Sequence, residues 1–500
     1  MERADTPPGF TVTASSGAPL ATPRRRLWAQ LAVARPGTAE GSKSAERPAT
    51  GAGAGSGGGA DGMAARTGRA MGRRFILTAT DQGVSSLSNF AVGVAVARVA
   101  GIAALGAYSL AYIAWILIAD FHRSLVTDPM AIENDVKGDG EVEGEPHSAD
   151  PSVALQAGLA AELVLGAGMA VATAGIGGLL LLAGQHAYGT AFVAFAPWLP
   201  FLLVQDYWRW AAFLRARPGK ALANDLIFDV VQAAAFVAVA LGGIHSSAAA
   251  IAAWGVGGLA GAAFGLHQHH VRPTLAGGLT HLRERWPMSR WLLGSSVTTW
   301  GASQAYIIIA AAMLGPVEIG GLRAALSLVS GPSMVLLQAG GSVGLPEASK
   351  ALERRGWAGL RRVQRTVTVA SVVSVAGVGM GVLFAGHTLL SALYGPEFGR
   401  FGPTADLLAL SVLLSTLSVG AVLTLKAVRL TDMVFRKSVA SLVISVVAVL
   451  VLVPIFGVQG AAGAAVARCA AVSATTLLLH WRFSRPAADS LAAGLATTAP

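Results

Sequence analysis

The chain has 500 residues, of which 53% are hydrophobic and only 13% are charged. A typical soluble domain carries about 25% charged residues, so this composition excludes an ordinary soluble protein and indicates a polytopic membrane protein. The single cysteine, Cys469, excludes an intrachain disulfide and a thiol metal cluster. The net charge is +10, and the basic residues are distributed as a topology signal rather than as a nucleic-acid patch.

Residues 1–70 are rich in Ala, Gly, Ser, Pro and Arg and contain no long apolar run. This composition predicts a disordered cytoplasmic tail. Met71 stands directly before the first apolar segment and is an alternative start site. The role of the tail, and the choice between the two starts, stay open at this point.

The segment 75–100 predicts the first membrane span. Its 26 residues, at a helical rise of 1.5 Å, reach about 39 Å, which is enough to cross a hydrocarbon core of about 30 Å. The polar residues Asp81, Ser85, Ser88 and Asn89 share one helical face, and Gln82 lies beside them. We therefore expect this helix to present a polar stripe to a cavity.

Eleven further apolar segments follow, and the basic residues set their orientation. Of the 37 Lys and Arg, 32 fall in the tails and in the loops after even-numbered spans, against two in the opposite loops. By the positive-inside rule, this predicts a multi-pass plasma-membrane protein with both termini in the cytoplasm. The predicted spans are 75–98, 104–126, 157–183, 190–213, 220–242, 247–268, 291–314, 317–343, 366–389, 401–425, 434–456 and 459–481.

A weak internal repeat aligns residues 73–90 with 289–306, although a coincidence of composition is the alternative. A repeat with six spans in each half predicts parallel halves, related by an axis along the membrane normal. The fold class is then an all-α polytopic membrane protein with about 12 transmembrane helices in two six-helix lobes around a central cavity. The predicted domains are a tail at 1–70, lobes at 71–270 and 291–485, a cytoplasmic linker at 271–290 and a disordered tail at 486–500.

Four stretches of the chain resemble one family of bacterial membrane proteins. They are DQGVSSLSNFAVGVAVAR at 81–98, GAYSLAY at 106–112, Asp128-Pro129 and LYGPEF at 393–398. They resemble the O-antigen and teichoic-acid type polysaccharide flippases, within the superfamily that also contains multidrug and toxin extruders. The resemblance implies two six-helix lobes around a cavity, and transfer of a lipid-linked oligosaccharide from the inner to the outer leaflet.

Several polar residues in the spans are candidates for lining a substrate cavity, because a charge in the membrane needs a partner or water. Arg323, beside Gly320 and Gly321, is the favoured contact for an anionic headgroup. Arg209 either forms a local i, i+3 pair with Asp206 or holds a pyrophosphate. Asp225, Asp229 and Gln232 form a stripe that lines a cavity, joins the two lobes by hydrogen bonds or couples an ion. The complete candidate set is Asp81, Gln82, Asn89, Arg209, Asp225, Asp229, Gln304, Arg323 and Gln338.

The segment 348–366 places basic and apolar residues in alternation. It predicts an amphipathic helix on the anionic inner membrane surface, carried by Arg354, Arg355, Trp357, Arg361 and Arg362. The alternative is a basic loop that only sets topology.

The chain is predicted to be a transporter rather than an enzyme, with no catalytic residues, no metal and no cofactor. One alternative is a cation-coupled multidrug extruder of the same superfamily, which Asp225 and Asp229 allow. The other is a membrane enzyme of polysaccharide assembly, which the short outward loops disfavour. Expected partners are a lipid-linked saccharide, the bilayer and polysaccharide-assembly enzymes, but not nucleic acid. The saccharide, its lipid carrier, the energy source and the oligomeric state are not specified by the sequence.

Overall fold

The structure is a computed structural model that describes residues 83, 86–132, 151–215, 217–272, 274–428 and 430–496. The described residues form helices joined by short turns, with no β-strand among them. Nine of their helices are long and apolar enough to cross a membrane, and Ser86–Ala100 is a shorter apolar helix. The predicted all-α polytopic fold is confirmed. The predicted tail at 1–70, together with Asp81 and Gln82, lies outside the described residues.

The first half of the chain contains seven helical segments, since one predicted span is divided by a short 3-10 turn at Ala196–Trp198 that contains Pro197. A π-helical turn, Arg123–Thr127, extends the second helix. The helices are α1 (Ser86–Ala100), α2 (Ile102–His122), α3 (Pro151–Leu182), α4 (His186–Phe195), α5 (Leu199–Leu214), α6 (Pro218–Leu241) and α7 (Ser247–His269).

The second half contains fewer and longer helices, with a 3-10 segment at Pro396–Phe401. These helices are α8 (Gly278–Leu314), α9 (Pro316–Tyr394), α10 (Gly402–Thr416), α11 (Val419–Ala427) and α12 (Thr431–Ala496).

The two longest helices, α9 and α12, each fold back on themselves at a glycine. Gly356 (φ 56°) and Gly457 (φ 57°) adopt non-helical backbone angles that favour glycine. A Cβ on Gly460 would lie 2.1 Å from the carbonyl oxygen of Leu452, although eight residues of straight helix span about 12 Å. Each of these helices therefore contributes two spans. With Ser86–Ala100 and the first part of α9, the helices account for the twelve predicted spans.

Two predicted boundaries differ from the structure. α8 begins at Gly278, inside the predicted linker at 271–290, and a Cβ there would lie 2.5 Å from the Ala160 carbonyl oxygen of α3. This close packing stabilises the start of α8, in a stretch that composition alone predicted to be a linker. α12 continues to Ala496, so most of the predicted disordered tail at 486–500 is helical. Its alanine-rich composition has high helix propensity, which accounts for the extension.

The two halves meet at a reciprocal crossing of α2 and α9. Gly101 and Gly315 precede these helices with nearly identical backbone angles, φ 84° and ψ 176° against φ 81° and ψ 178°. Five residues further along, a Cβ on Gly106 would lie 1.9 Å from the Pro316 carbonyl oxygen, and a Cβ on Gly320 would lie 2.0 Å from that of Ile102. Such an exchange of equivalent contacts is typical of a two-fold axis, and it supports the predicted parallel repeat.

Candidate functional site

A small polar cavity, with a volume of about 10 Å³, lies between α1, α2 and α9, next to the crossing of the two halves. This is room for about one water molecule, so the binding of a larger group requires the two halves to move apart. The cavity contains one cationic side chain, one amide and four hydroxyl groups, and no carboxylate is among its described lining residues. The lining residues are Asn89, Gly93, Leu105, Tyr108, Ser109, Tyr112, Arg323 and Ser327. The structure therefore brings together two of the sequence-predicted site residues, Asn89 and Arg323, which are far apart in the chain.

Arg323 is held at this cavity by the close packing of α9 on both sides. A Cβ on Gly321 would lie 2.1 Å from the Phe401 ring, and Gly320 is pressed against the backbone of α2 at Ile102. The two glycines beside Arg323 thus allow the helix to approach its neighbours. The guanidinium carbon of Arg323 lies 4.9 Å from the centre of the Tyr112 ring, within cation–π range.

An aromatic cluster behind the cavity fixes the two tyrosines of its wall. Trp254 of α7 packs against Tyr108 and Tyr112, with ring centroids 6.0 Å and 5.9 Å apart. Trp254 also stacks on Phe195 of α4 at 5.2 Å. Tyrosine rings held from behind in this way present fixed hydroxyl groups and faces to the cavity.

Arg209 lies outside this lining, in a buried polar network between α5 and α6. Its Nε lies 3.0 Å from Asp225 Oδ2, and the Gln205 side-chain amide donates to Asp225 Oδ1 over 2.9 Å. Arg209 also acts electrostatically on Asp206, its predicted i, i+3 partner. Asp206 in addition lies 3.0 Å from His122 Nε2 and 3.3 Å from Arg123, at the end of α2.

The polar stripe of α6 faces protein rather than lipid, as its spacing indicated. The Ser88 hydroxyl donates to Asp229 Oδ1 over 2.8 Å, which ties α6 to α1. Gln232 is buried against α7, where a Cβ on Gly257 would lie 2.8 Å from its Cβ. Val230, on the opposite face, is 64% exposed. The Ser88–Asp229 bond joins two helices of the same half, so it is not the predicted hydrogen bonding between the lobes.

The structure does not place the two predicted glutamines, Gln304 and Gln338, in the lining of this cavity. Gln304 is half-buried in α8 and is not among the described residues that line the cavity. Gln338 lies in α9, but its side chain lies outside the described part of the structure.

The basic segment 348–366 is not one continuous amphipathic helix, because the chain reverses at Gly356. Its apolar residues Leu352 and Leu360 pack on Leu423 and Val428, so they face the protein core rather than a lipid surface. Trp357 stacks on the His480 ring, with centroids 5.9 Å apart. The remaining predicted surface residues are exposed, namely Arg354, Arg355, Arg361 and Arg362.

Sequence reasoning missed a second buried cluster, made of His122, Glu162 and Asp206. Asp206 was singled out only as a partner for Arg209, and the other two were not considered. The available signal was that His122 and Glu162 are ionisable residues inside apolar spans, which are rarely tolerated without a role or a partner.

Comparisons with known proteins agree with this fold. Residues 217–401 match the sequence profile of a family described as polysaccharide biosynthesis protein. No curated protein matches the chain by sequence. The structure is similar to an inward-facing multidrug resistance MATE family transporter of the MOP superfamily, with a TM-score of 0.62, 13% identity, and coverage of 83% of this chain and 96% of the other.

Two further solved structures are similar. The lipid II flippase MurJ, in an inward closed conformation, has a TM-score of 0.64 and 12% identity, covering 84% of this chain and 91% of MurJ. A MOP superfamily transporter from Pyrococcus furiosus, whose reversed binding-pocket polarity suggests a different function, has a TM-score of 0.57 and 12% identity, covering 86% and 96%.

The chain therefore has the multi-pass helical membrane fold of these solved structures. The match at 217–401 and this fold both agree with the predicted resemblance.

The contact between Arg209 and Asp225 gives a testable prediction about stability. We expect Arg209→Gln and Asp225→Asn each to lower the melting temperature of the purified protein in detergent, because each leaves a buried charge without this partner. The double variant should lose less than the sum of the two, with a coupling of about 0.5–3 kcal/mol. Arg217→Gln, at an exposed position, is the control. Strict additivity of the two losses would show that the pair contributes nothing.

Proposed function

We propose that this protein is a transporter that moves a lipid-linked oligosaccharide or polysaccharide precursor from the inner to the outer leaflet of the plasma membrane. Both termini lie in the cytoplasm in this proposal. Rocking of the two halves about the α2–α9 crossing exposes the cavity to each side in turn. The observation that carries the proposal is Arg323 in a cavity otherwise lined by amide, hydroxyl and aromatic groups.

The lining groups of the cavity suit the head of such a lipid. A guanidinium group presents several N–H donors in a plane, which matches phosphate oxygens better than an ammonium group does. The Tyr112 ring lies within cation–π range of this guanidinium group. Asn89, Ser109 and Ser327 supply polar groups for sugar hydroxyls. Tyr108 adds a ring and a hydroxyl to the same wall.

The cation-coupled drug extruder is less well supported by this geometry. A cationic drug calls for an acidic or purely aromatic pocket, whereas the charged group among the described lining residues is an arginine. The two intramembrane aspartates that allowed this alternative, Asp225 and Asp229, contact Arg209 and Ser88.

The partners in this proposal are the saccharide lipid, the bilayer and the enzymes of polysaccharide assembly. The exposed arginines Arg354, Arg355, Arg361 and Arg362 would face the cytoplasm by the predicted topology. Anionic lipid headgroups attract such juxtamembrane residues by about 1 kcal/mol each.

Reconstitution tests the proposal directly. Purified protein is placed in liposomes that contain a fluorescent polyprenyl-pyrophosphate oligosaccharide, and leaflet transfer is followed with a membrane-impermeant quencher. We expect transfer faster than in protein-free liposomes. If no transfer occurs across several saccharide lipids while a fluorescent cationic drug is taken up under an ion gradient, the drug-extruder alternative replaces this proposal.

A further inference from the structure

A buried ionisable cluster in the first half has no part in the cavity described above. It consists of His122 at the end of α2, Glu162 in α3 and Asp206 in α5, and is called here the histidine–carboxylate cluster. His122 Nδ1 lies 2.6 Å from Glu162 Oε1, and Nε2 lies 3.0 Å from Asp206 Oδ2. The side chains of His122 and Glu162 are fully buried, and that of Asp206 is 6% exposed.

The two contacts require two protons among three groups. An ionised carboxylate only accepts hydrogen bonds, and a neutral imidazole has a single N–H group. Either His122 is an imidazolium between two carboxylates, or one carboxyl group carries the second proton. Removal of one proton would leave a ring nitrogen lone pair facing a carboxylate oxygen, and one of the two contacts would be lost. The arrangement of α2, α3 and α5 therefore depends on the proton content of the cluster.

A partly exposed edge connects the cluster to its surroundings. Arg123 lies 3.3 Å from Asp206 Oδ2 and 3.7 Å from Asp120 Oδ1, and the side chains of Arg123 and Asp120 are 32% and 31% exposed. This edge is a part of the cluster's surroundings with partly exposed ionisable side chains. The titratable and charged groups that face the cluster are Asp120, Arg123 and Asp128 of the α2 region, Glu162 of α3, and Asp206, Tyr207 and Arg209 of α5.

The cluster is joined to the contact between the two halves by an irregular turn. His122 is followed directly by the π-helical turn Arg123–Thr127, a feature frequent at functional sites in helices. Within this turn, Ser124 Oγ lies 2.9 Å from Ser296 Oγ of α8, in the second half of the chain. A rearrangement at His122 thus acts on a residue that contacts the other half.

The fold itself does not require such a cluster. Counted from the equivalent glycines Gly101 and Gly315, the second-half position that corresponds to His122 is Leu336. Counted from the repeat of 73–90 and 289–306 it is Gln338, so neither register places an ionisable residue there. Among the described residues, the buried carboxylates Glu162, Asp206 and Asp225 all lie in the first half, whereas the second half buries mainly serine and threonine hydroxyls. Because a buried ion triad is often replaceable by apolar residues without loss of stability, its presence in one half only points to a role beyond packing.

We propose that the histidine–carboxylate cluster is a proton-binding site whose loading shifts the relative arrangement of the two halves. The further consequence, that transport is coupled to a proton, rests on the proposed function. A proton gradient would then drive transport through this cluster, which is separate from the substrate cavity at Arg323.

Distance measurements between spin labels test the proposal without any substrate. Cysteines replace the exposed Arg217 in the first half and the exposed Lys350 in the second, in a Cys469→Ala background. Pulsed electron resonance distances are recorded on the full-length protein from acidic to alkaline pH. We expect the distance distribution to shift with pH, and the shift to be lost in His122→Gln, whose amide does not titrate and carries both of its N–H donors on one nitrogen.

The control is His269→Gln, in the same half, where the ring stacks on Trp208 with centroids 4.9 Å apart. This variant should keep the pH-dependent shift. Glu162→Gln is the second test variant, since its amide permanently supplies a donor, and it should hold one arrangement at every pH. A pH-independent distribution in the parent protein overturns the proposal, as does a shift that persists in both cluster variants.

A transport arm separates this proposal from the proposed function. In the saccharide-lipid assay, a pH gradient should accelerate transfer by the parent protein and should leave His122→Gln unaffected. A failure to transfer any saccharide lipid would reject the proposed function alone, because the distance measurement reports on the cluster without substrate. Transfer that is equally accelerated in both proteins would reject the coupling.

Discussion

Replacement of Arg323 by glutamine is expected to lower the rate of saccharide-lipid transfer about tenfold to 150-fold. This range corresponds to the loss of one charged hydrogen bond, worth about 1.5–3 kcal/mol. Glutamine keeps the polar character of the cavity but removes the charge and the planar fork that match a phosphate. Initial transfer rates at subsaturating lipid concentration measure the effect, since they report binding and translocation together.

Two further variants make this result specific. Arg323→Lys keeps the charge but not the fork, and we expect an intermediate rate. Arg400→Gln removes an arginine that is exposed and paired with Glu318 at 3.1 Å, so transfer should stay close to the parent rate. If Arg323→Gln transfers at the parent rate and its melting temperature is unchanged, Arg323 is not the anion site, although the chain could remain a flippase.

Substitution of Gly106 by alanine is expected to destabilise the protein strongly, despite the addition of a single methyl group. The new Cβ would lie 1.9 Å from the Pro316 carbonyl oxygen, and backbone cannot rotate away as a side chain can. Overpacking of this kind costs about 1–3 kcal/mol or more. The melting temperature in detergent should fall clearly. It is measured as the fraction of protein that stays monodisperse after heating. Gly320→Ala, on the other side of the crossing, should give a similar loss.

The matched control for this prediction is Gly168→Ala in α3, where a Cβ meets nothing within 4 Å. Alanine there should be neutral or should stabilise the helix by about 0.5–1 kcal/mol. Because Gly106 and Gly320 belong to the same crossing of α2 and α9, the double variant should lose less than the sum of the two single losses. Equal melting temperatures for Gly106→Ala and Gly168→Ala would show that α2 and α9 do not cross this closely.

The cavity illustrates how far single residues in a sequence can be interpreted. Asn89 and Arg323 were predicted because a polar residue in an apolar span must face protein or water, and both line the cavity. Tyr108 and Tyr112 were part of a family motif, but their place in the cavity wall follows only from packing against Trp254.

The buried charges show the opposite case. Spacing along one helix predicted Arg209 as a partner of Asp206, but it could not predict that Asp206 also contacts His122 or that Arg209 contacts Asp225. Partners on neighbouring helices depend on which faces meet, and a linear pattern contains no such information. The chain reversal at Gly356 was likewise not predicted, because a single glycine does not by itself interrupt a predicted helix.

The sequence by itself determined the class of this protein: a helical, multi-pass membrane protein with its polar stripes turned away from lipid. These properties follow from hydropathy and helical periodicity, which act locally along the chain. The tertiary structure alone decided the pairing of buried charges, the glycine crossing of α2 and α9, and the assembly of the cavity around Arg323. Those features arise from contacts between residues distant in the chain, and such contacts are set by how whole helices pack.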